Sequence, residues 1–398
     1  MKNNIPELIV KIDNTNIFFI AGKYDEQDNF ETLEKLILPI VGFDDNKITD
    51  LEKITDLIKK NILILEQKIS FTFKNLIIIL NNFDISFLNL SGFKKLNGTQ
   101  ISKENITYIL NSLKSCVEEF ENNKKIIHIF NSEYKLDKLK IDNLPIGLFG
   151  DFYSHELSMS LIKKNDLKNL ENIFEACNLN IKKIFLNSFV EGSLTSENNP
   201  NVENFFQIQI NDNRSKIFYF ENGSLKFEQE FSFGTKIILK DIIKVTSLKL
   251  ENVNLILDDL DIKNNIEEKK LLDKKYFLND QNYRKIKEKL IHEIIEARIQ
   301  ELSNIILLEN INLENLLKKA NSIFLGISNE LHQKAFRNFF ENYLSKKKQT
   351  IKPIYNLDQE NLAKCAVRIS KFGWKKEAIP VPAHQKSIIS RFFDAIFG

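Results

Sequence analysis

The stretch Glu7–Gly22, ELIVKIDNTNIFFIAG, reads as a strand, a turn and a second strand. Glu7 to Ile12 is apolar and extended, Asp13-Asn14-Thr15-Asn16 is a cluster of turn formers, and Ile17 to Gly22 is apolar again. A helix is expected from Thr49, with Glu52 placed to complete a capping box. Leu51, Ile54, Leu57, Ile58, Ile62 and Leu65 then keep helical spacing. Phe71 to Leu80 ends in LIIIL, the composition of a strand buried on both faces. A compact α+β unit follows: a strand Asp84 to Leu90, a helix opened by Ser102, and strands Lys125 to Tyr134 and Ser154 to Ile162. Beyond it come a helix Asp166 to Cys177 and a strand Lys183 to Val190. Phe205 to Ile210, Lys216 to Phe220 and Leu225 to Phe231 form a meander with turns at Asn211 to Ser215 and Glu221-Asn222-Gly223. The longest helix is expected over Asn282 to Leu308, then a strand Ser322 to Leu325 ending at Gly326, and a helix to about Leu344. Helices alternating with strands and meanders indicate an α/β fold with inserted subdomains, and no repeat of 20–50 residues stands out.

Composition narrows the function. The chain has 398 residues, 43% hydrophobic and 28% charged, which is globular rather than disordered. Lys+Arg 56 against Asp+Glu 54 leaves +2, so no bulk field recruits nucleic acid. Cys116, Cys177 and Cys365 are far apart and odd in number, which suits a reducing compartment and no zinc site. No signal-peptide pattern and no run of roughly 18 apolar residues is present, so a cytoplasmic protein is expected unless its ends tie it to a membrane. Glycine is scarce: 12 residues, about 3% where roughly 7% is usual. Codon bias accounts for much of this, yet no glycine-rich nucleotide fingerprint or P-loop exists either.

The end of the chain carries a sharp local pattern. Trp374 to His384 contains Pro380 and Pro382 and reads as a semi-extended linker. Gln385 to Phe397, QKSIISRFFDAIF, places Ile388, Ile389, Phe392, Phe393, Ile396 and Phe397 on one helical face, with Lys386 and Arg391 opposite. Large apolar side chains opposite cations suit a helix lying in a membrane interface. At about 1.5 kcal/mol each the gross gain is about 9 kcal/mol, much of it consumed in folding the peptide on the surface. Docking on the protein's own core is the alternative use of such a helix.

In order and spacing these elements resemble FtsA, the actin-like bacterial cell-division family that ties FtsZ filaments to the membrane. TDLEKITDLIKKNILILEQ (Thr49–Gln67) followed by FKNLIIIL (Phe73–Leu80) resembles the helix and strand before that family's inserted domain. ISKENITYILNSLKSC (Ile101–Cys116) and KIIHIFNSEYKLD (Lys125–Asp137) resemble the insert itself, with His128, Glu133 and Tyr134 at the family's histidine and glutamate–tyrosine pair. LPIGLFG (Leu144–Gly150) is similar to the family's N-P-V-G-L-S-G with Leu144 replacing Asn, and HEIIEARIQEL (His292–Leu302) to its E-I-I-E-x-R helix. The linker and amphipathic helix match its membrane-targeting tail.

The resemblance implies an actin-like (ribonuclease H-like) two-lobed fold with an inserted SHS2-type subdomain and a C-terminal amphipathic helix. The implied division is first-lobe core 1–80, SHS2-type insert 81–157, and first-lobe core again 158–187. It continues as second-lobe core 188–236, second-lobe outer subdomain 237–299, second-lobe core returning to the first lobe 300–373, linker 374–384 and membrane-targeting helix 385–398. It implies binding of the FtsZ C-terminal peptide on the outer subdomain, self-association into polymers, contacts with later divisome proteins through the insert, and no nucleic acid. Ile388, Ile389, Arg391, Phe392, Phe393, Ile396 and Phe397 would bind lipid, placing the protein peripherally on the cytoplasmic side of the inner membrane at the division site.

The sequence departs from the family at its nucleotide motifs. The first phosphate turn, acidic-I-G-T-x-K, is here Lys11-Ile12-Asp13-Asn14-Thr15-Asn16. The second, D-I-G-G-G-T-x-D, is Gln209-Ile210-Asn211-Asp212-Asn213-Arg214-Ser215-Lys216. The third, a strand ending in Thr-Gly-Gly, is IFLGIS and keeps only Gly326. Asn and Asp tolerate left-handed backbone angles, so the hairpins are expected to survive. Their side chains would fill phosphate space, with Asp13 and Asp212 repelling it. The degenerate cleft positions are therefore Asp13, Asn14, Thr15, Asn211, Asp212, Asn213 and Gly326, and neither cofactor nor metal is expected. Three readings stay open: a pseudo-ATPase adaptor; an actin-like ATPase whose Lys11, Arg214 and Lys216 hold phosphate through side chains; and a scaffold of another machine, such as the PilM component of type IV pilus assembly.

Overall fold

The computed structural model describes residues 5–25, 29–44, 46–81, 83–259, 268–277, 283–320, 322–354 and 357–378. The expected membrane-targeting helix and Ile388 to Phe397 lie outside them.

The chain opens with β1 (Glu7–Ile12), β2 (Asn16–Tyr24), β3 (Phe30–Pro39) and the short pair β4 (Phe43–Asp44) and β5 (Lys47–Ile48). Helix α1 (Leu51–Ile69) leads to β6 (Asn75–Leu80). An inserted unit follows: β7 (Ile85–Lys95), α2 (Lys103–Phe120), β8 (Lys124–Leu136), β9 (Leu139–Ile141) and β10 (Phe152–Lys163). Helix α3 (Lys164–Glu175) and β11 (Asn180–Leu186) return to the first sheet, and α4 (Asn187–Asn198) leaves it. The second lobe begins with β12 (Asn204–Ile210), β13 (Ser215–Glu221) and β14 (Ser224–Phe231). It continues with α5 (Lys236–Thr246), α6 (Leu250–Asp259), α7 (Glu288–Ser303), α8 (Glu314–Leu317), β15 (Ser322–Ile327), α9 (Glu330–Lys346) and β16 (Ile351–Pro353), and α10 (Gln359–Phe372) closes the described helices.

The two lobes repeat one topology. The first sheet has the order β11-β6-β1-β2-β3 and the second β14-β13-β12-β15-β16. In each, an antiparallel meander is extended by parallel strands beside its first member. This duplication is invisible as a short-period sequence repeat because the lobes share backbone topology and not residues. β6 is buried along Leu76 to Leu80, as its unbroken apolar run requires. Helix α10 packs back on the first lobe through Leu362, Ala366 and Ile369.

The insert is a sheet of order β7-β10-β8-β9 with α2 across it. A capping box between Ser102 and Asn105 starts α2. His155, buried beside Tyr134 and Tyr153, has its imidazole pushed down by burial to about 4, so it is neutral at pH 7.

Several sequence expectations are corrected. The N-cap of α1 is Asp50, whose side chain accepts from the Lys53 amide at 3.1 Å, and not Thr49. The expected strand Lys183 to Val190 stops at Leu186, and Asn187 starts α4. Helix α4 is enclosed by both lobes and buries polar as well as apolar residues, so no amphipathic period marks it. The expected helix from Asn282 is irregular over 283–287 and begins at Glu288, then widens to a π-turn over Asn304–Leu308. Strand β3 and helices α5 and α6 are additions to the sequence reading, although Ile238, Leu239, Ile242 and Thr246 keep helical spacing in α5. The semi-extended linker expected from Trp374 is, over its described part to Ala378, docked along β8.

Candidate functional site

The site lies between the lobes, where two matching hairpins face each other. In the first, Ile12 pairs with Ile17 and the Asp13 amide donates to the Asn16 carbonyl at 3.0 Å. In the second, Ile210 pairs with Ser215 and the Asn211 amide donates to the Arg214 carbonyl at 2.8 Å. Both turns survive without glycine, as expected, but for another reason: neither places a residue in the left-handed region. A turn that never enters positive φ needs no glycine.

A phosphate cradle needs free backbone amides pointing at the ligand. Here the Asp13 and Asn211 amides are used by their own turns, and the Asn14 amide donates to Asp13 Oδ1 at 2.7 Å. The side chains go further and bind the lobes to each other. Asn14 Nδ2 donates to Asn46 Oδ1 at 3.0 Å, and Asn46 Nδ2 donates to Glu230 Oε2 at 3.2 Å. Arg214 donates to the same Asn46 oxygen at 3.0 Å and to Glu230 Oε1 at 3.3 Å. A second tie runs from Lys216 in β13 to Asn81 Oδ1 at 2.6 Å and Glu228 at 3.0 Å. Burial opposes the charge on Lys216, but Glu228, Glu191 and Glu230 outweigh it and hold its pKa above the ordinary lysine value.

The third tie is Glu191, on α4 and almost fully buried. It accepts from Asn187 Nδ2 at 2.7 Å, Gln209 Nε2 at 2.7 Å and Gln207 Nε2 at 3.4 Å, the two glutamines belonging to β12. Burial pushes the Glu191 carboxyl up and the Lys11 ammonium down, and each partly offsets the other through their opposite charges.

Between these ties is a cavity of about 360 Å³. Of the expected cleft positions, Asp13, Asn211 and Gly326 line it, together with Lys11, Asn81 and Glu191. Asn14 is drawn away to Asn46, and the exposed Thr15 gives its carbonyl to the Ile40 amide at 3.1 Å. Asp212 turns toward the second lobe, where Asn329 Nδ2 donates to it at 3.3 Å and His332 Nδ1 lies 3.2 Å away. Asn213 is exposed at the turn. Gly234 serves this hairpin: a Cβ there would sit 2.0 Å from the Asn211 carbonyl oxygen, whose bond from the Thr235 amide starts α5. Arg337, a cation lining the cavity, donates to Glu341 at 2.6 Å. The residues present therefore do not fit a Mg²⁺–triphosphate. The Asp13, Asn14 and Asn211 amides are committed, Lys11 faces Glu191 and Asp13, and Arg214 and Lys216 are held by carboxylates. Among the described residues no cluster of His, Cys, Asp or Glu is placed to hold a metal ion.

Asn46, Asn81, Glu191, Glu228 and Glu230 were not found from the sequence. The one signal available for them is Glu191 directly after the strand expected over Lys183 to Val190. Glu293, Glu296 and Arg298, on α7, are engaged locally, Glu293 with Lys289 at 4.0 Å. Arg298 pairs with Asp241 and Glu301, and Glu296 accepts from Gln300.

Two lobes of repeated topology around a cleft, with paired hairpins at its floor, define an actin-like fold. The PilM–PilN type IV pilus biogenesis complex shares it, with a TM-score of 0.53 over 93% of this chain and 99% of that one, at 8% identity. The chain is a divergent FtsA-like protein. It is 24% identical over 322 residues to the cell division protein FtsA of Buchnera aphidicola subsp. Baizongia pistaciae, covering 79% of this chain and 74% of that protein. It is 18% identical over 204 residues to Escherichia coli (strain K12) FtsA, of which it spans 48%. No protein-family model matches the chain.

Proposed function

We propose that this protein is a cell-division adaptor that tethers FtsZ filaments to the cytoplasmic face of the inner membrane and does so without binding or hydrolysing ATP. The observation that carries the nucleotide-free reading is the Asn14–Asn46–Arg214–Glu230 network, which joins the lobes at the place where a triphosphate would otherwise join them. An adaptor whose lobes are held by side chains needs no nucleotide to keep one shape. The similarity to FtsA supports the division role. The insert, read as SHS2-type, presents Phe93 and Phe152 stacked at 5.4 Å and a Phe149 that is 68% exposed, which suits self-association or a divisome partner. The amphipathic pattern of 385–398 supplies the lipid contact, and the described residues contain no helix long and apolar enough to cross a membrane.

A scaffold of another machine is the second reading, favoured by the structural likeness to the pilus complex. Recruitment of FtsZ filaments to liposomes of bacterial lipid separates the two. The adaptor reading expects recruitment equally with and without ATP, and loss of both recruitment and co-flotation when residues 385–398 are deleted. Co-flotation without FtsZ recruitment under either condition would favour the other machine.

A further inference from the structure

We propose that Trp374–Ala378 is a latch that pins the inserted subdomain to both lobes and that opens and closes as a unit. It runs antiparallel along β8, on the stretch of that strand which β9 leaves unpaired, since β9 pairs only with Tyr134 to Leu136. The Asn131 amide donates to the Lys376 carbonyl at 2.7 Å, and the Ala378 amide donates to the Ile129 carbonyl at 2.7 Å. Ala378 is buried in the core beneath α2.

The same five residues touch both lobes. The Trp374 indole N–H donates to the Gly223 carbonyl at 2.6 Å, in the β13–β14 turn of the second lobe. Its ring meets Phe189 of α4 edge-on at 6.1 Å. Glu377 reaches His128 Nδ1 at 3.3 Å and Lys183 of β11 at 4.0 Å. His128 Nε2 accepts the Leu186 amide at 3.3 Å, so Nδ1 carries the proton and donates to Glu377. One imidazole thus joins insert, first lobe and strap.

The construction suits reversible docking. Gly373, at φ +77 with nothing within 4 Å of an added Cβ, gives the strap a hinge in open space. All of these ties belong to five consecutive residues, so the strap's release is a local event that leaves the lobe cores intact. Release would expose the Ile129 carbonyl and the Asn131 amide on the β8 edge. The inference rests on the fold alone and stands apart from the proposed function.

The test uses the full chain and hydrogen exchange, with Trp374, the single tryptophan, as a fluorescent reporter. Glu377→Ala removes the His128 partner, and Ala378→Pro removes the amide bonded to Ile129. Each is expected to speed exchange at Asn131 at least about tenfold, to raise quenching of Trp374 by acrylamide, and to leave β1 and β12 protected. Glu377→Gln, which still accepts from His128, should behave like the parent. Unchanged exchange at Asn131 in both variants, or loosening spread equally over β1 and β12, would overturn the latch.

Discussion

Replacing Phe189 by alanine is expected to lower unfolding free energy by about 3–5 kcal/mol, the range for deleting a buried aromatic side chain. Phe189 is fully buried on α4, with ring centroids of Phe130 at 4.8 Å, His128 at 4.9 Å, Phe185 at 6.0 Å and Trp374 at 6.1 Å. Those rings come from the insert, the first lobe and the strap, so the walls of the cavity cannot close by moving one element. The upper part of the range is therefore expected. Phe149→Ala, at a side chain 68% exposed, serves as the control and should stay within about 0.5 kcal/mol. Denaturant unfolding followed by circular dichroism measures both. A Phe189→Ala loss under about 1.5 kcal/mol would mean that this junction is not where the bodies are held.

Glu191→Ala is expected to cost about 3 kcal/mol or more, because it strands a buried cation and three amide donors together. Lys11 is almost wholly buried, and Glu191 is the largest of the charges that favour its ionised form. Asn187, Gln207 and Gln209 would each lose the carboxylate they now donate to. Adding Lys11→Met to the same chain removes the stranded charge and should return a substantial part of the loss. A double-mutant cycle across Lys11 and Glu191 reads this coupling directly. Additive losses would show that the two charges do not sense each other across the cleft floor.

These two residues also show what the sequence could and could not declare. The hairpins at Glu7–Tyr24 and Asn204–Phe231 were legible because alternating or unbroken apolar runs flank short polar turns. So was α2, whose Ser102 cap and apolar spacing are local. Helix α4 was not, because a helix covered by both lobes has no polar face to set a period. The cleft was half legible. The loss of the glycine turns could be read position by position, and it led to Asp13, Asn211 and Gly326. The side-chain ties between the lobes could not be read. Asn46 and Glu230 meet across 184 positions, and no local rule pairs them. Arg214 and Lys216 were open as phosphate ligands, and the sequence did not pair them with Glu230 and Glu228.

The scarcity of glycine and the cross-lobe network point to one account: the lobes of this FtsA-like chain are joined by its own side chains where a nucleotide would join them. Calorimetric titration of the full chain with Mg²⁺–ATP tests this most directly. The account predicts no saturable heat up to millimolar ATP, in the parent and in Arg214→Ala alike. Stoichiometric binding with a micromolar dissociation constant would contradict it.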